Sequence, residues 1–240
     1  MKLLIVRHGD PDYSIDSLTE KGRIEAELLS QKLSKLEVKS FYVSPLGRAK
    51  DTAAYTLDKM GRTATECPWL REFAARIERP DKEDSIPWDW HPKDWTNIDE
   101  FYTIDEWHKV PQMAEGKVFE EYSWVCQGLD ELLKSHGYER EGRYYKAVSP
   151  NEDTIVFFCH FGVECVLLSH LLGISPMPLW HGFCALPTSV TTLVTEERDK
   201  GIASFRASSF GDLSHLYAGG EEPSFSARFC ETFDNTEQRH

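Results

Sequence analysis

The sequence predicts an α/β domain in which helices cover both faces of a mostly parallel sheet. Continuously apolar runs, such as LLIV at 3–6 and TIVFFC at 154–159, are typical of strands that are buried on both faces. Segments with helical periodicity alternate with these runs along the chain, as they do in folds built from parallel strands. The length of 240 residues fits one domain over 1–240.

The first half of the chain contains two predicted strand–helix units. After the first strand, Thr19 is expected to cap a helix that has a periodic apolar face. SFYV at 40–43 predicts a second strand. Ser44 is expected to cap the helix that follows, with Pro45 at its first position.

Residues 73–118 differ from the rest of the chain in composition. They combine many charged residues and several prolines with four tryptophans, which are Trp88, Trp90, Trp95 and Trp107. We interpret this segment as a lid-like insertion that covers a site, and not as a second fold. The alternative is that its tryptophans form a satellite hydrophobic cluster, which packs the insertion on the core.

The second half returns to regular patterns. Residues 119–136 have helical periodicity, and 137–150 are expected to be a polar connection. TIVFFC at 154–159 is the strongest strand signal in the chain, and an apolar helix over 163–172 follows it. Two later runs, rich in β-branched residues, predict a hairpin: 189–195 and 202–208.

Composition and charge narrow the classes of partner. The formal net charge is −13, which argues against nucleic acid and anionic membranes as partners. No CxxC pair occurs, and Cys159, Cys165 and Cys184 lie in apolar runs that suit buried thiols in a reducing compartment. No apolar run is long enough to cross a bilayer, and the N-terminal one is too short for a signal peptide. We therefore expect a cytoplasmic protein.

Four basic side chains follow strands of the predicted sheet. Arg7 and His8 end the first strand, Arg48 begins the helix after the second, and His160 follows the strongest strand. In open α/β sheets, ligands bind beyond the carboxyl ends of the strands. If these strands are neighbours, two histidines and two arginines meet in one cleft.

This set of residue types points to phosphate chemistry. Arginine is a permanently charged, bidentate donor for a phosphate dianion, and Arg48 also lies at a helix N-terminus that favours anions. His8, as a neutral imidazole, is a competent nucleophile, and His160 could donate to the phosphoryl oxygens. Glu72 is our candidate general acid, because burial under the insertion would raise its pKa. Its rivals for that role are Glu66, Glu78 and Glu83.

Four segments together carry a resemblance to a known family. They are IVRHGDPDY from residue 5, LTEKGRIEA from residue 18, VSPLGRAKDTA from residue 43 and FFCHFG from residue 157. In this order and spacing they resemble the histidine phosphatase superfamily, which is also called phosphoglycerate mutase-like.

The resemblance implies a three-layer α/β/α domain and a phosphohistidine intermediate. It implies that His8 is the nucleophile and that Arg7, Arg48 and His160 form the phosphate pocket. Glu72 matches the family's acid by its position after the third strand. Neither a metal nor another cofactor is expected, since the arginines neutralise the phosphate charge.

Three departures from the family pattern affect the prediction. Phe161 separates His160 from the glycine at 162, although its backbone N–H is still predicted to contact phosphate. Ser14 stands where the family often has an asparagine that contacts phosphate, and it is predicted as a contact in its place. Residues 71–75 do not resemble the stretch with which the mutase branch holds phosphoglycerate.

The last of these departures favours a phosphatase, which acts on a small phosphorylated metabolite, over a phosphoglycerate-type mutase. A non-catalytic protein that binds phosphorylated ligands is the alternative of another class. We expect phosphate or sulfate to occupy the pocket, and His181 and Trp88 to lie beside the substrate.

Overall fold

The computed structural model describes residues 1–225 and 230–239. Its strands are β1 (Lys2–Arg7), β2 (Pro11–Asp12), β3 (Ser17–Leu18), β4 (Ser40–Val43), β5 (Thr65–Glu66), β6 (Ile77–Arg79), β7 (Lys82–Ser85), β8 (Tyr138–Glu141), β9 (Tyr144–Ala147), β10 (Thr154–Cys159), β11 (Val190–Asp199), β12 (Ile202–Asp212), β13 (Cys230–Thr232) and β14 (Asn235–Arg239). Its α-helices are α1 (Glu20–Leu33), α2 (Gly47–Met60), α3 (Pro92–Trp95), α4 (Pro111–Glu115), α5 (Val118–Ser135), α6 (Phe161–Leu172), α7 (Pro176–Gly182) and α8 (Ser214–Ala218). Short 3-10 helices cover Pro68–Leu70, Asp99–Tyr102 and Trp107–Lys109.

Eight strands form one mixed central sheet in the order β5-β4-β10-β1-β11-β12-β9-β8. The first four run parallel to one another, and the rest continue the sheet in antiparallel pairs. The predicted α/β class is confirmed, as is the hairpin, which is β11–β12. The polar connection before β10 is instead the hairpin β8–β9, which adds two strands to one edge of the sheet.

Helices bury both faces of this sheet because its central strands are apolar on both sides. In β1, Leu3 and Ile5 pack into one core, and Leu4 and Val6 pack into the other. The first core contains the apolar sides of α5 and α6, and the second contains those of α1 and α2. The result is the expected three-layer arrangement.

Two predicted details at the helix starts have different outcomes. Thr19 caps α1 as predicted, because its Oγ1 accepts a hydrogen bond from the Gly22 N–H at 3.0 Å. The prediction that Ser44 caps α2 is wrong. Helix α2 begins at Gly47 and has Leu46 at its N-cap position, since Pro45 and Leu46 form a bend between β4 and the helix. Pro45 therefore precedes the helix and does not occupy its first position.

The cysteine prediction is confirmed in part. Cys159 and Cys165 are buried in the core, whereas Cys184 is exposed because it lies in the loop after α7. Within the residues that the structure describes, no helix is both long and apolar enough to span a membrane.

The tryptophan-rich segment 73–118 contains the hairpin β6–β7 and several short helices. Its four tryptophans belong to the same core cluster as α5, α6 and one face of β1. Trp107 is completely buried, and its ring meets the rings of Trp180 and Tyr122 edge-on at centroid distances of 6.0 and 5.2 Å. We therefore propose that the insertion is part of one domain and not a separate unit.

Replacing Trp107 tests this proposal. Trp107→Ala should lower the free energy of unfolding by about 3–5 kcal/mol, because it opens a large cavity in the shared core. Urea unfolding should remain a single transition when followed by fluorescence and circular dichroism. The control is Trp124→Ala, which removes a tryptophan that is 39% exposed and should cost less than about 1 kcal/mol. A separate early transition for the insertion would contradict the single-domain proposal.

Candidate active site

The carboxyl ends of three neighbouring parallel strands bring the predicted site residues together. His8 follows β1, His160 follows β10, and Ser44 follows β4. The backbone N–H of His8 donates to the Cys159 carbonyl oxygen at 3.0 Å, which extends the pairing of β1 with β10 by one step. The two imidazole rings lie with their centroids 5.1 Å apart. The three strands are therefore neighbours, and the two histidines lie close together beyond their carboxyl ends.

His8 presents an unprotonated ring nitrogen. Its Nδ1 lies 2.7 Å from the carbonyl oxygen of Gly9. Because a carbonyl oxygen only accepts hydrogen bonds, Nδ1 carries the proton and Nε2 keeps a free electron pair. Burial, and next the positive charge of Arg7, lower the pKa of His8 well below its usual value. The ring is therefore neutral near pH 7, which is the state in which Nε2 can act as a nucleophile.

His160 is the N-cap residue of α6 and is completely buried. Its Nε2 lies 2.7 Å from Ser44 Oγ, and its Nδ1 is buried with no hydrogen-bond partner among the described residues. Burial lowers the pKa of His160 well below its usual value, and the positive charges of Arg48 and Arg7 add to this effect. A neutral His160 has one ring proton, so its capacity to donate depends on which nitrogen carries that proton.

The two arginines of the site are each held by one hydrogen bond and keep further donors. Arg7 Nη1 donates to the Ala185 carbonyl oxygen at 2.6 Å, and Arg48 Nη1 donates to Asp16 Oδ1 at 2.6 Å. The Nε atoms of both arginines are buried and have no partner among the described residues. A phosphate group in this cleft would supply the missing acceptors.

Asp16 is a residue of the site that the sequence did not indicate. Its Oδ2 accepts from the Gly47 N–H at 2.7 Å while its Oδ1 holds Arg48, so one carboxylate orients both the start of α2 and the guanidinium. The backbone of Asp16 is left-handed, with a φ of 48°. An Asp in a polar loop tolerates this conformation, but no sequence pattern reveals it.

Glu72 lies beside the start of α6. It follows the 3-10 helix Pro68–Leu70, and its Oε1 accepts from the backbone N–H groups of Phe73 at 2.9 Å and Val163 at 3.2 Å. Burial raises the pKa of Glu72, against the opposing effects of the Phe73 N–H and the Arg7 charge. The carboxyl therefore stays protonated to a higher pH than an exposed glutamate does. The rival glutamates, by contrast, are all exposed: Glu66, Glu78 and Glu83.

Gly162 explains how the extra residue Phe161 is accommodated. A Cβ atom on Gly162 would lie 2.7 Å from both Glu72 Oε1 and Trp88 Cη2, so only glycine fits between these side chains. Phe161 begins α6 and packs against the core, which leaves its backbone N–H at the helix N-terminus. Trp88 is buried, and its ring packs at a tilt against those of Phe73 and Trp180 at centroid distances of 6.3 and 5.9 Å. The insertion thus places an aromatic ring next to the Glu72 carboxyl.

Ser14 and His181 have their polar hydrogens engaged elsewhere. Ser14 is exposed, and both its N–H and its hydroxyl donate to Asp12 Oδ1, which leaves it no donor for a phosphate. His181 donates from Nδ1 to the Met177 carbonyl oxygen at 2.8 Å and accepts the Trp90 N–H on Nε2 at 3.1 Å. His181 therefore connects α7 to the insertion, with no polar ring atom left for a substrate.

The family follows from the sequence match. Residues 3–207 match the histidine phosphatase superfamily (branch 1). The chain belongs to the histidine phosphatase superfamily. This confirms the resemblance that the four sequence segments indicated.

Curated relatives of this histidine phosphatase match only part of it. A 2,3-bisphosphoglycerate-dependent phosphoglycerate mutase of Thermoplasma acidophilum is 33% identical over 69 residues, which are 25% of this chain and 34% of that protein. Another, from Gloeobacter violaceus, is 28% identical over 148 residues, which are 58% and 57% of the two chains. A probable phosphatase of Schizosaccharomyces pombe is 34% identical over 67 residues, 24% of this chain and 32% of that protein. The chain thus aligns with less than two thirds of each relative.

Solved structures share the fold over nearly the whole chain. A phosphoserine phosphatase mutant from Entamoeba histolytica in complex with phosphoserine has a TM-score of 0.58 and 20% identity, and the match covers 90% of this chain and 98% of that one. A mycobacterial glucosyl-3-phosphoglycerate phosphatase in complex with VO3 has a TM-score of 0.54 and 19% identity, over 88% and 98%. In the part of this histidine phosphatase that the structure describes, no group of three or more His, Cys, Asp or Glu is arranged to hold a metal ion.

Glu164 is a further buried carboxyl of this histidine phosphatase that the sequence did not indicate. It lies in the first turn of α6 and is completely buried. Burial raises its pKa to about 7, although the Thr191 hydroxyl and the Arg7 charge lower it. An acidic residue inside an apolar helix is a signal that the sequence offers. The complete burial of Glu164 and its closeness to Arg7 depend on contacts that the sequence does not show.

The raised pKa of Glu164 predicts a pH-dependent stability. Below about pH 4.5 the carboxyl is protonated in both the folded and the unfolded chain, so it adds no cost. Between about pH 4.5 and 7 the unfolded chain loses this proton first, so stability should fall by an amount on the order of 3 kcal/mol and then level off. Glu164→Gln should remove this part of the decline in urea unfolding measured from pH 5 to pH 8.

The control is Glu100→Gln, at an exposed position, which should keep the pH dependence of the wild type. Glu25 also has a pKa raised to about 7 by burial, so Glu164→Gln should retain part of the decline. Identical pH profiles for Glu164→Gln and the wild type would contradict the prediction.

Proposed function

We propose that the protein is a phosphomonoester hydrolase, which acts on a small phosphorylated metabolite through a phosphohistidine intermediate on His8. The observation that carries the proposal is the hydrogen bond from His8 Nδ1 to the Gly9 carbonyl oxygen, at 2.7 Å. It leaves Nε2 unprotonated in a cleft that also contains Arg7 and Arg48 with unused donors. A nucleophile and positive donors in one cleft are the requirements of phosphoryl transfer.

In the proposed first step, the electron pair of His8 Nε2 attacks phosphorus and the bond from phosphorus to the ester oxygen breaks. Glu72 gives its proton to the leaving oxygen, for which its raised pKa prepares it. Arg7, Arg48 and Nδ1 of His160 donate hydrogen bonds that stabilise the charge on the phosphoryl oxygens. The arginines supply positive charge at the positions where many phosphoryl-transfer enzymes use Mg²⁺, so we propose catalysis without a metal.

In the second step, water attacks the phosphorus of the phosphohistidine. Glu72, now a carboxylate, takes a proton from the water, and the bond between phosphorus and Nε2 breaks. Inorganic phosphate leaves, and both His8 and Glu72 return to their initial protonation states. One carboxyl thus serves as acid and then as base.

A phosphoglycerate-type mutase is the second candidate, and the names of two partial relatives favour it. Such an enzyme must also bind the carboxylate of its substrate. The three arginines nearest to Glu72 in sequence are already paired: Arg71 with Glu121 at 2.9 Å, Arg76 with Asp84 at 3.0 Å and Arg79 with Asp81 at 2.7 Å. This pairing, together with Trp88 beside Glu72, supports hydrolysis of esters whose alcohol carries no carboxylate.

Turnover of two substrates separates these candidates. The wild type should release inorganic phosphate from p-nitrophenyl phosphate with a higher kcat/KM than from 3-phosphoglycerate, and it should not isomerise 3-phosphoglycerate. His8→Ala should lower kcat/KM for p-nitrophenyl phosphate by about 10³-fold or more, because no phosphohistidine can form. A labelled substrate, quenched in alkali, should leave acid-labile phosphate on the wild type only.

The matched control is His136→Ala, which removes a histidine that contacts Tyr42 and lies outside the cleft. It should retain the wild-type kcat/KM. Isomerisation without phosphate release would support the mutase instead. Equal turnover by the wild type and His8→Ala would instead support a non-catalytic protein that binds phosphorylated ligands.

The role of Glu72 is tested by the leaving group. Glu72→Gln should lower kcat/KM by about 10²–10⁴-fold for an alkyl phosphate, whose leaving oxygen needs a proton, and much less for p-nitrophenyl phosphate. In the wild type, kcat/KM for the alkyl ester should fall on the basic side as Glu72 loses its proton, and this limb should be absent in Glu72→Gln. Glu78→Gln, at an exposed position in the insertion that follows Glu72, is the control. Equal losses on both esters would assign the acid role to another group.

A further inference from the structure

The two histidines of the cleft need opposite ring atoms to face the phosphate. His8 must offer a free electron pair, and the Gly9 carbonyl oxygen ensures this by holding the proton on Nδ1. His160 must offer a proton, because the phosphoryl oxygens only accept hydrogen bonds. A neutral imidazole has a single N–H, so one of its two tautomers serves this role and the other opposes it.

Ser44 is the group that contacts the other nitrogen of His160. It is completely buried, its backbone N–H donates to the Phe158 carbonyl oxygen at 2.9 Å, and its Oγ lies 2.7 Å from His160 Nε2. The Leu46 N–H donates to the same Oγ at 3.2 Å. The serine oxygen is therefore already an acceptor, and its own proton is left to be donated.

The hydrogen-bond count selects one direction for the contact between Ser44 and His160. If Ser44 donates to Nε2, the hydroxyl proton and Nε2 are both paired, and Nδ1–H of His160 is the single group of this contact left without a partner among the described residues. If Nε2 donated instead, the Ser44 hydroxyl would have no acceptor among the described residues, and Nδ1 would turn an electron pair toward the phosphate. Buried polar groups rarely remain unpaired, which favours the first arrangement.

We propose that Ser44 is a positioning residue, which holds His160 in its Nδ1–H tautomer so that Nδ1 donates to the phosphoryl group. The kinetic part of this proposal rests on the proposed phosphatase function, whereas the tautomer itself does not. Ser44 has no helix to cap, since α2 begins at Gly47. Its hydroxyl is therefore available for the histidine.

Protonation of both nitrogens of His160 is not an alternative to the correct tautomer in this cleft. Burial lowers the pKa of His160, and the charges of Arg48 and Arg7 add to this effect, so the doubly protonated ring, which would donate from both nitrogens, is disfavoured. The carboxyl of Glu72, which lies close enough to Arg7 and Arg48 to be affected by their charges, is bound by the N–H groups of Phe73 and Val163. The tautomer therefore decides whether His160 attracts or repels a phosphate oxygen.

Nitrogen-15 NMR of the imidazole rings measures the tautomer directly. In protein labelled with ¹⁵N-histidine, the His160 signals, assigned by their loss in His160→Ala, should show a protonated Nδ1 and an unprotonated Nε2. Ser44→Ala should convert a large fraction of His160 to the Nε2–H form, while Ser44→Thr, which keeps a hydroxyl, should retain the wild-type pattern. Protonated Nε2 in the wild type, or an unchanged tautomer in Ser44→Ala, would overturn the proposal.

Kinetics and binding provide the functional readout. Ser44→Ala should weaken binding of inorganic phosphate by about tenfold and lower kcat/KM for p-nitrophenyl phosphate by about 10–100-fold, and Ser44→Thr should recover most of both. Ser30→Ala, which removes a buried hydroxyl bonded to the Glu27 carbonyl oxygen in α1, is the matched control and should change neither. Equal losses in Ser44→Ala and Ser44→Thr, with the tautomer unchanged, would indicate a packing role and contradict the proposal.

The NMR data and the kinetic data test different parts of the proposal. If the wild type hydrolyses no phosphate ester, the proposed function is wrong, but the NMR comparison still decides whether Ser44 sets the tautomer. If the wild type is active and the tautomer does not depend on Ser44, only the positioning role is lost.

Discussion

The parallel pairing of β1 with β10, and of β10 with β4, is the constraint on which the site depends. The register places Arg7 opposite Cys159 and Phe158 opposite Val43, so the three strands end in nearly one line. The residues immediately beyond these ends are the two histidines and the serine of the cleft. A shift by one residue would turn the side chains of a strand to the opposite face and separate them. The apolar residues that bury both faces of these strands therefore also align the chemistry, because they fix the register.

Because the cleft is buried, its ionisable groups respond to nearby charges more than to the net charge of the chain. The chain carries a formal charge of −13, yet the cleft concentrates Arg7 and Arg48 around two histidines. Burial, and next the weakly screened charges of these arginines, keep the imidazoles neutral. In the proposed function, the same charges would attract a phosphate dianion against the overall negative field. A buried cluster of basic side chains would thus resolve the conflict between an acidic surface and an anionic ligand.

The sequence predicted the parts of this structure that depend on local pattern. Apolar runs located the strands, and the position of Arg7, Arg48 and the two histidines at strand ends located the cleft. What could not be predicted depends on backbone direction and on contacts distant in sequence. The left-handed φ of Asp16 and the carbonyl of Ala185 belong to loops whose paths no periodicity specifies. Ser44 had a plausible local role as a helix cap, and only the observed start of α2 shows that its partner is a histidine 116 residues away.

The protonation of Glu72 would depend on the bound substrate as well as on the protein. Two backbone N–H groups stabilise its carboxylate form, while burial opposes that form more strongly, so its pKa is raised. In the proposed reaction, a phosphate dianion next to Glu72 adds a like charge, which raises the pKa further and keeps the acid protonated when the leaving oxygen needs a proton. Transfer of the phosphoryl group to His8 and departure of the alcohol would then change the charges around the carboxylate and leave it able to accept a proton from water. The proposed exchange of roles between acid and base would therefore follow from electrostatics that the reaction itself changes.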